Sequence, residues 1–190
     1  MRKIPNVVAL VPFVLALACA DANKAPAEAA LKVAEAALAT LGPDASTYAA
    51  EGVAAARKSF ATAKELVGTK EYEGALKVAS RIPDKVKEVI AAASAKKAEL
   101  AKDWGEASAA VTATVSAIKE RLVTLGKGKK LPAGVDKAAI ARAHEGVASV
   151  ESGLATLAED VKGGKLTEAV TGAKALKARG EEILKSLGSP

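Results

Sequence analysis

Thiols, imidazoles and clustered carboxylates carry much of protein chemistry, and this 190-residue chain nearly lacks the first two. It holds one cysteine, Cys19, and one histidine, His144. Zinc sites need several Cys or His ligands, so neither residue makes one. No Cys-x-x-Cys-His run offers haem attachment, and Met1 is the only methionine, which removes His/Met ligation of a haem. No Glu-x-x-His pair supports a di-iron bundle. No glycine-rich phosphate loop follows a predicted strand. The inventory predicts no catalytic residue, no metal ligand, no cofactor and no enzymatic activity. His144, within "IARAHEGVA", reads as a helix-surface or interface residue, because Glu145 beside it lies on another helical face. That leaves Cys19, which ends an apolar run.

The run has the layout of a leader. Met1-Arg2-Lys3 is a basic start, and residues 4–18, "IPNVVALVPFVLALA", are apolar. The stretch is short for a membrane span and contains Pro5 and Pro12, so residues 1–18 read as a signal peptide. The small-residue end Ala16-Leu17-Ala18 marks the cut. Leu15-Ala16-Leu17-Ala18-Cys19 resembles the lipobox of bacterial lipoproteins, with Ala18 as the required small residue and Ala16-Leu17 as a looser variant of the positions before it. The resemblance implies cleavage between Ala18 and Cys19 and acylation of Cys19, with the membrane as first partner. It also implies outer-membrane sorting, to the periplasmic face, because Ala20 rather than an aspartate comes next; Asp21 tempers that inference. The alternative is a plain secretory leader cut at the Ala-x-Ala end, leaving a free thiol. A lone thiol is a liability in an oxidising compartment, and acylation removes it. Two or three acyl chains on one residue would make attachment effectively permanent, whereas one chain holds only marginally.

Helices must carry everything beyond this leader. The chain has 46 alanines but only 3% aromatic residues, and alanine, lysine, glutamate and leucine are strong helix formers. The apolar positions recur at helical spacing, so the fold class is all-α. The net charge is +6, of which Arg2 and Lys3 belong to the leader. The remaining signs are interspersed and aromatics are scarce, which argues against nucleic acid as a partner.

Residues 19–25 form the acylated cysteine and a polar tether. A first helix is expected over about 26–41, stopped by Gly42-Pro43. A second, over about 45–67, is expected with Asp44 as its cap. Its inward residues are Tyr48, Val53, Ala56, Phe60, Ala63 and Val67. Thr69 is expected to cap a third helix carrying Tyr72, Leu76, Ala79, Val86, Val89 and Ile90. Pro83 is expected to bend that helix rather than restart it. From about 84 to 125 only Gly105 interrupts the helical pattern, so one long helix is possible there.

The body also repeats. Placing Glu51-Gly52-Val53-Ala54 on Glu145-Gly146-Val147-Ala148 sets an offset of 94 that holds from 49 to 93 without a gap, with 12 identities in 45 positions. Leu38 to Gly42 falls on Leu122 to Gly126 at an offset of 84. The expected organisation is two antiparallel three-helix units, 26–99 and 100–190. They form either a tandem joined by the long helix or one compact six-helix bundle.

Within the first unit, Tyr48-Ala49, Ala56-Arg57 and Tyr72-x-x-Ala75 resemble the alanine-rich helical domain of unknown function found in many bacterial lipoproteins. The likeness covers roughly 30–95; the second copy lacks both tyrosines. It implies location and fold, not activity. Candidate interaction residues are Trp104, as a partner anchor or a filler between units, and Lys127, Lys129 and Lys130, a basic run in the longest loop. Gly52, Gly74, Gly146, Gly153, Gly172 and Gly180 fall inside predicted helices. They either admit close helix packing or soften the helices. The function expected is a lipid-anchored envelope protein, structural or binding another envelope protein. The alternative is a carrier or sensor of an apolar ligand within the bundle.

Overall fold

The computed structural model describes residues 22–128 and 131–188. The leader and Cys19 lie outside the described residues. Among those described, every regular element is a helix. These are α1 (Lys24–Ala39), α2 (Pro43–Tyr48), α3 (Ala50–Gly68), α4 (Tyr72–Ala79), α5 (Ile82–Lys127), α6 (Lys137–Lys162) and α7 (Leu166–Ser186). The protein is all-α, and the long helix expected from about 84 to 125 is α5.

The chain divides into two compact units. One contains the described residues of Met1–Thr40 with Glu51–Lys87, and the other Leu41–Ala50 with the described residues of Glu88–Pro190. The boundary falls within α5, between Lys87 and Glu88, rather than at the expected 99/100.

In the first unit α1 packs on α4. Ala27, Tyr72 and Ala75 form a buried cluster, with half-buried Leu66, Val67 and Leu76 against it. Small residues dominate this core, so helices approach closely and each contact buries little area. Phe60 is only half-buried, and the Lys64 ammonium lies 5.8 Å from its ring centre.

In the second unit α5, α6 and α7 enclose a larger core. Val111, Ile118 and Leu122 of α5 meet Val147 and Val150 of α6 and Ala173 of α7. Here the structure decides what the glycines do. A Cβ on Gly146 would lie 2.6 Å from Ile183 Cδ1, one on Gly153 3.0 Å from Leu176 Cδ2, and one on Gly172 2.7 Å from Leu157 Cδ2. These pairs share one antiparallel register: seven then four residues forward along α6 match seven then four backward along α7. Each glycine receives a branched side chain from the facing helix. Gly180 receives Thr114 of α5 in the same way, at 2.8 Å.

The repeat is visible at its turn. After α3, the amides of Thr69, Lys70 and Glu71 donate to the carbonyls of Glu65, Val67 and Leu66. After α6, those of Gly163, Gly164 and Lys165 donate to Glu159, Val161 and Asp160. Every donor and acceptor is displaced by 94. This wrap requires a left-handed residue, and φ is +63° at Lys70 and +85° at Gly164. Burial repeats too: Tyr72 matches Leu166, Ala75 matches Ala169, and Val53 matches Val147.

Five local expectations are corrected. The second helix is not continuous over 45–67: Ala49, at φ −140° and ψ 39°, separates α2 from α3. α2 belongs to the second unit, where the Tyr48 hydroxyl donates to Gly164 O at 3.0 Å. Asp44 caps no helix with its side chain; it pairs with Lys97 at 2.8 Å. Thr69 does not cap α4 either: no side chain caps that helix, and the Thr69 hydroxyl faces the Glu71 carboxylate at 3.0 Å and Leu66 O at 3.2 Å. Finally, the chain breaks at Ser80-Arg81 and restarts as α5, with Pro83 in the first turn, where a missing amide costs nothing. Ile90 is 38% exposed rather than inward.

Candidate functional site

Of the residues singled out by sequence, Cys19, Ala18, Lys129 and Lys130 lie outside the described residues. Lys127 is exposed and ends α5, where a cation suits the negative end of the helix dipole. The chain after it is not wholly a solvated loop. Leu131 packs against the second core and Val135 is buried in it. Gly134 adopts φ +83°, and Asp136 caps α6 by accepting from Ala139 N at 2.6 Å.

Trp104 is half-buried on α5. It packs between the second core and a smaller cluster of Leu100, Leu166 and Val170, which Tyr48 and Val161 also touch. All of these residues belong to the second unit, so Trp104 fills that unit rather than a gap between the two. Tyr48 reaches it because α2 is fixed at both ends. The hydrogen bond from Lys97 to Asp44, and then the attraction of the two charges, holds the Lys97 ammonium above its ordinary pKa. The Asp160 partner of Lys165 raises that lysine likewise, beside the turn that accepts Tyr48.

His144 is exposed on α6. Among the described residues no group of three or more His, Cys, Asp or Glu side chains could hold a metal ion. No helix among them is long and apolar enough to cross a membrane. No charged or polar side chain among them is buried.

Three shallow concave surfaces are found among the described residues. An apolar groove of about 340 Å³ runs between α5 and α6, lined by Thr112, Val115, Glu151, Leu154, Ala155 and Ala158. Lys119 pairs with Glu151 at its edge, at 2.6 Å. A second groove, of about 290 Å³, mixes Asp103 and Glu106 with Lys174 and Lys177. The third, of about 270 Å³ in the first unit, is lined by Ser59, Lys77, Val78, Arg81 and Lys85. It differs in carrying charge of one sign.

Two features are absent from the sequence-based expectations. Arg121 ties down the end of α7, donating from Nε to Leu187 O at 3.0 Å and from its guanidinium to Gly188 O at 3.2 Å. The spacing of Lys77, Arg81 and Lys85, four residues apart, is a visible signal for one helical face, but the expected bend at Pro83 hides it. Neither the protein-family models, the curated proteins nor the solved structures contain a match to this chain.

Proposed function

We propose that the chain is a lipid-anchored protein of the bacterial cell envelope that presents two helical units as a non-enzymatic structural or protein-interaction module. The observation that carries the reading is Leu15-Ala16-Leu17-Ala18-Cys19, which places the only thiol of the sequence directly behind a small residue at the end of an apolar leader. Cleavage before Cys19 and its acylation fix the new N-terminus in the membrane, on the periplasmic face of the outer membrane. A tether ending at Asn23 then leads into α1.

The described body supports a binding rather than a catalytic role. It offers helical faces, shallow grooves and interspersed surface ion pairs, and its polar side chains stay at the surface. Its client is a protein of the envelope. In-cell crosslinking with mass spectrometry tests this: one dominant envelope partner, recovered at the same helical faces in repeat experiments, supports the module. Self-crosslinks or scattered products alone refute it.

The apolar groove between α5 and α6 favours a second reading, a carrier of an apolar ligand. Thermal stabilisation of the purified protein by acyl chains, abolished by Ala155→Glu, would select the carrier over the module.

A further inference from the structure

We propose that the cationic groove of the first unit is a phosphate-binding site. Lys77 of α4, Arg81 at the helix break and Lys85 of α5 line one concavity of about 270 Å³. None of the three makes an ion pair among the described residues, although Lys87, Lys96 and Lys97 nearby in sequence each have a carboxylate within 3.0 Å. Three like charges along one groove repel, and the potential they focus favours an anion.

The donors are arranged for an oxyanion. Ser59 donates to Ala55 O at 3.0 Å, so its oxygen is left to accept Lys85 Nζ, at 3.2 Å. That contact steadies one ammonium at the groove. The Arg81 guanidinium is engaged by no partner among the described residues, and its planar fork matches two oxygens of a phosphate. Two flanking ammonium groups add the charge that neutralises a dianion. Val78 supplies an apolar wall.

The internal repeat shows that the fold does not need this cluster. At the offset of 94, Ser59, Lys77, Val78, Arg81 and Lys85 correspond to Gly153, Thr171, Gly172, Ala175 and Arg179. The second copy makes the same turn hydrogen bonds and buries the matching core positions with only one cation of the three. In that copy Gly153 and Gly172 are instead filled by Leu176 and Leu157. The groove is therefore a property of the first copy alone, where three unpaired cations replace a closed helix seam.

The test uses the mature chain carrying Cys19→Ser and produced without residues 1–18, so that neither an acyl group nor the apolar leader confuses membrane binding. Inorganic phosphate is titrated by calorimetry, and vesicles of phosphatidylglycerol or of phosphatidylcholine are used for co-sedimentation. The variant Lys77→Gln/Arg81→Gln/Lys85→Gln is compared with Lys87→Gln/Lys96→Gln/Lys119→Gln, which removes equal charge elsewhere. All six side chains lie outside the buried core, so both variants keep it, and a helical circular dichroism spectrum checks the fold. Loss of at least about tenfold in affinity in the groove variant, against less than about twofold in the control, is expected. Phosphate titration identifies a free phosphate ligand; selective sedimentation with phosphatidylglycerol alone identifies a headgroup. Absence of binding in both arms, or equal weakening by both variants, overturns the site.

Discussion

Gly172→Ala should destabilise the second unit, although alanine is the better helix former. The new Cβ would stand 2.7 Å from Leu157 Cδ2, 2.9 Å from Cδ1 and 3.4 Å from Cγ. Carbon atoms in contact prefer about 3.5–4.0 Å, so both Leu157 methyl groups must retreat by more than half an ångström. Forcing a methyl into such a seam costs about 1–3 kcal/mol, while glycine to alanine in a helix interior returns about 1 kcal/mol. Gly105 is the control: it lies in α5, in the same unit, with nothing within 4 Å of its would-be Cβ. Gly105→Ala should therefore stabilise by about 0.5–1 kcal/mol. Urea unfolding monitored by helical circular dichroism should separate the two substitutions by roughly 2 kcal/mol, the steric term alone. Adding Leu157→Ala should make Gly172→Ala less harmful, with a coupling of about 1 kcal/mol. If Gly172→Ala stabilises as much as Gly105→Ala, the glycines only soften the helices, and the interlocked seam is wrong.

The turn and α2 give three further outcomes. Lys70→Gly should stabilise the first unit by about 1 kcal/mol and Gly164→Ala destabilise the second by about as much, because both positions are left-handed and neither substitution meets a clash; thermal melts read both. Tyr48→Phe removes the bond to Gly164 O and should cost about 0.5–1.5 kcal/mol, with faster amide exchange confined to α2 and the α6–α7 turn. The raised pKa of Lys97 means that its pairing with Asp44 stabilises α2 below pH 10.5 and is lost as pH rises through the folded-state value. Exchange in α2 should accelerate at alkaline pH beyond the intrinsic rate, and Asp44→Asn should abolish that acceleration.

The all-α class is legible because alanine-rich helical spacing leaves few alternatives. The repeat is legible for a more local reason. Glu65, Val67, Glu159 and Val161 mark equivalent turns whose hydrogen bonds match donor for donor. What sequence does not reveal is where a short helix goes. Pro43-Asp44 to Tyr48 reads as the start of a long helix, since no glycine or proline comes before Gly52. Its placement is decided by Tyr48 and Gly164, 116 residues apart, and no local propensity encodes that bond. Thr69 is ambiguous for a related reason. A threonine between two helices can close one or cap the other, and here the Glu71 carboxylate and the carbonyls of Leu66 and Glu65 surround its hydroxyl, none of them a backbone amide of α4. The cationic groove is hidden by the expectation that Pro83 only bends a helix, when the break at Ser80-Arg81 is part of the groove itself.

The central claim rests on Cys19, and metabolic labelling with a radioactive or clickable fatty acid tests it most directly. The wild-type protein should incorporate the label, migrate as the cleaved form and fractionate with the outer membrane. Cys19→Ser should lose the label and accumulate uncleaved. Label retained by Cys19→Ser, or a cleaved wild-type protein found unlabelled in the soluble periplasmic fraction, would contradict the anchor.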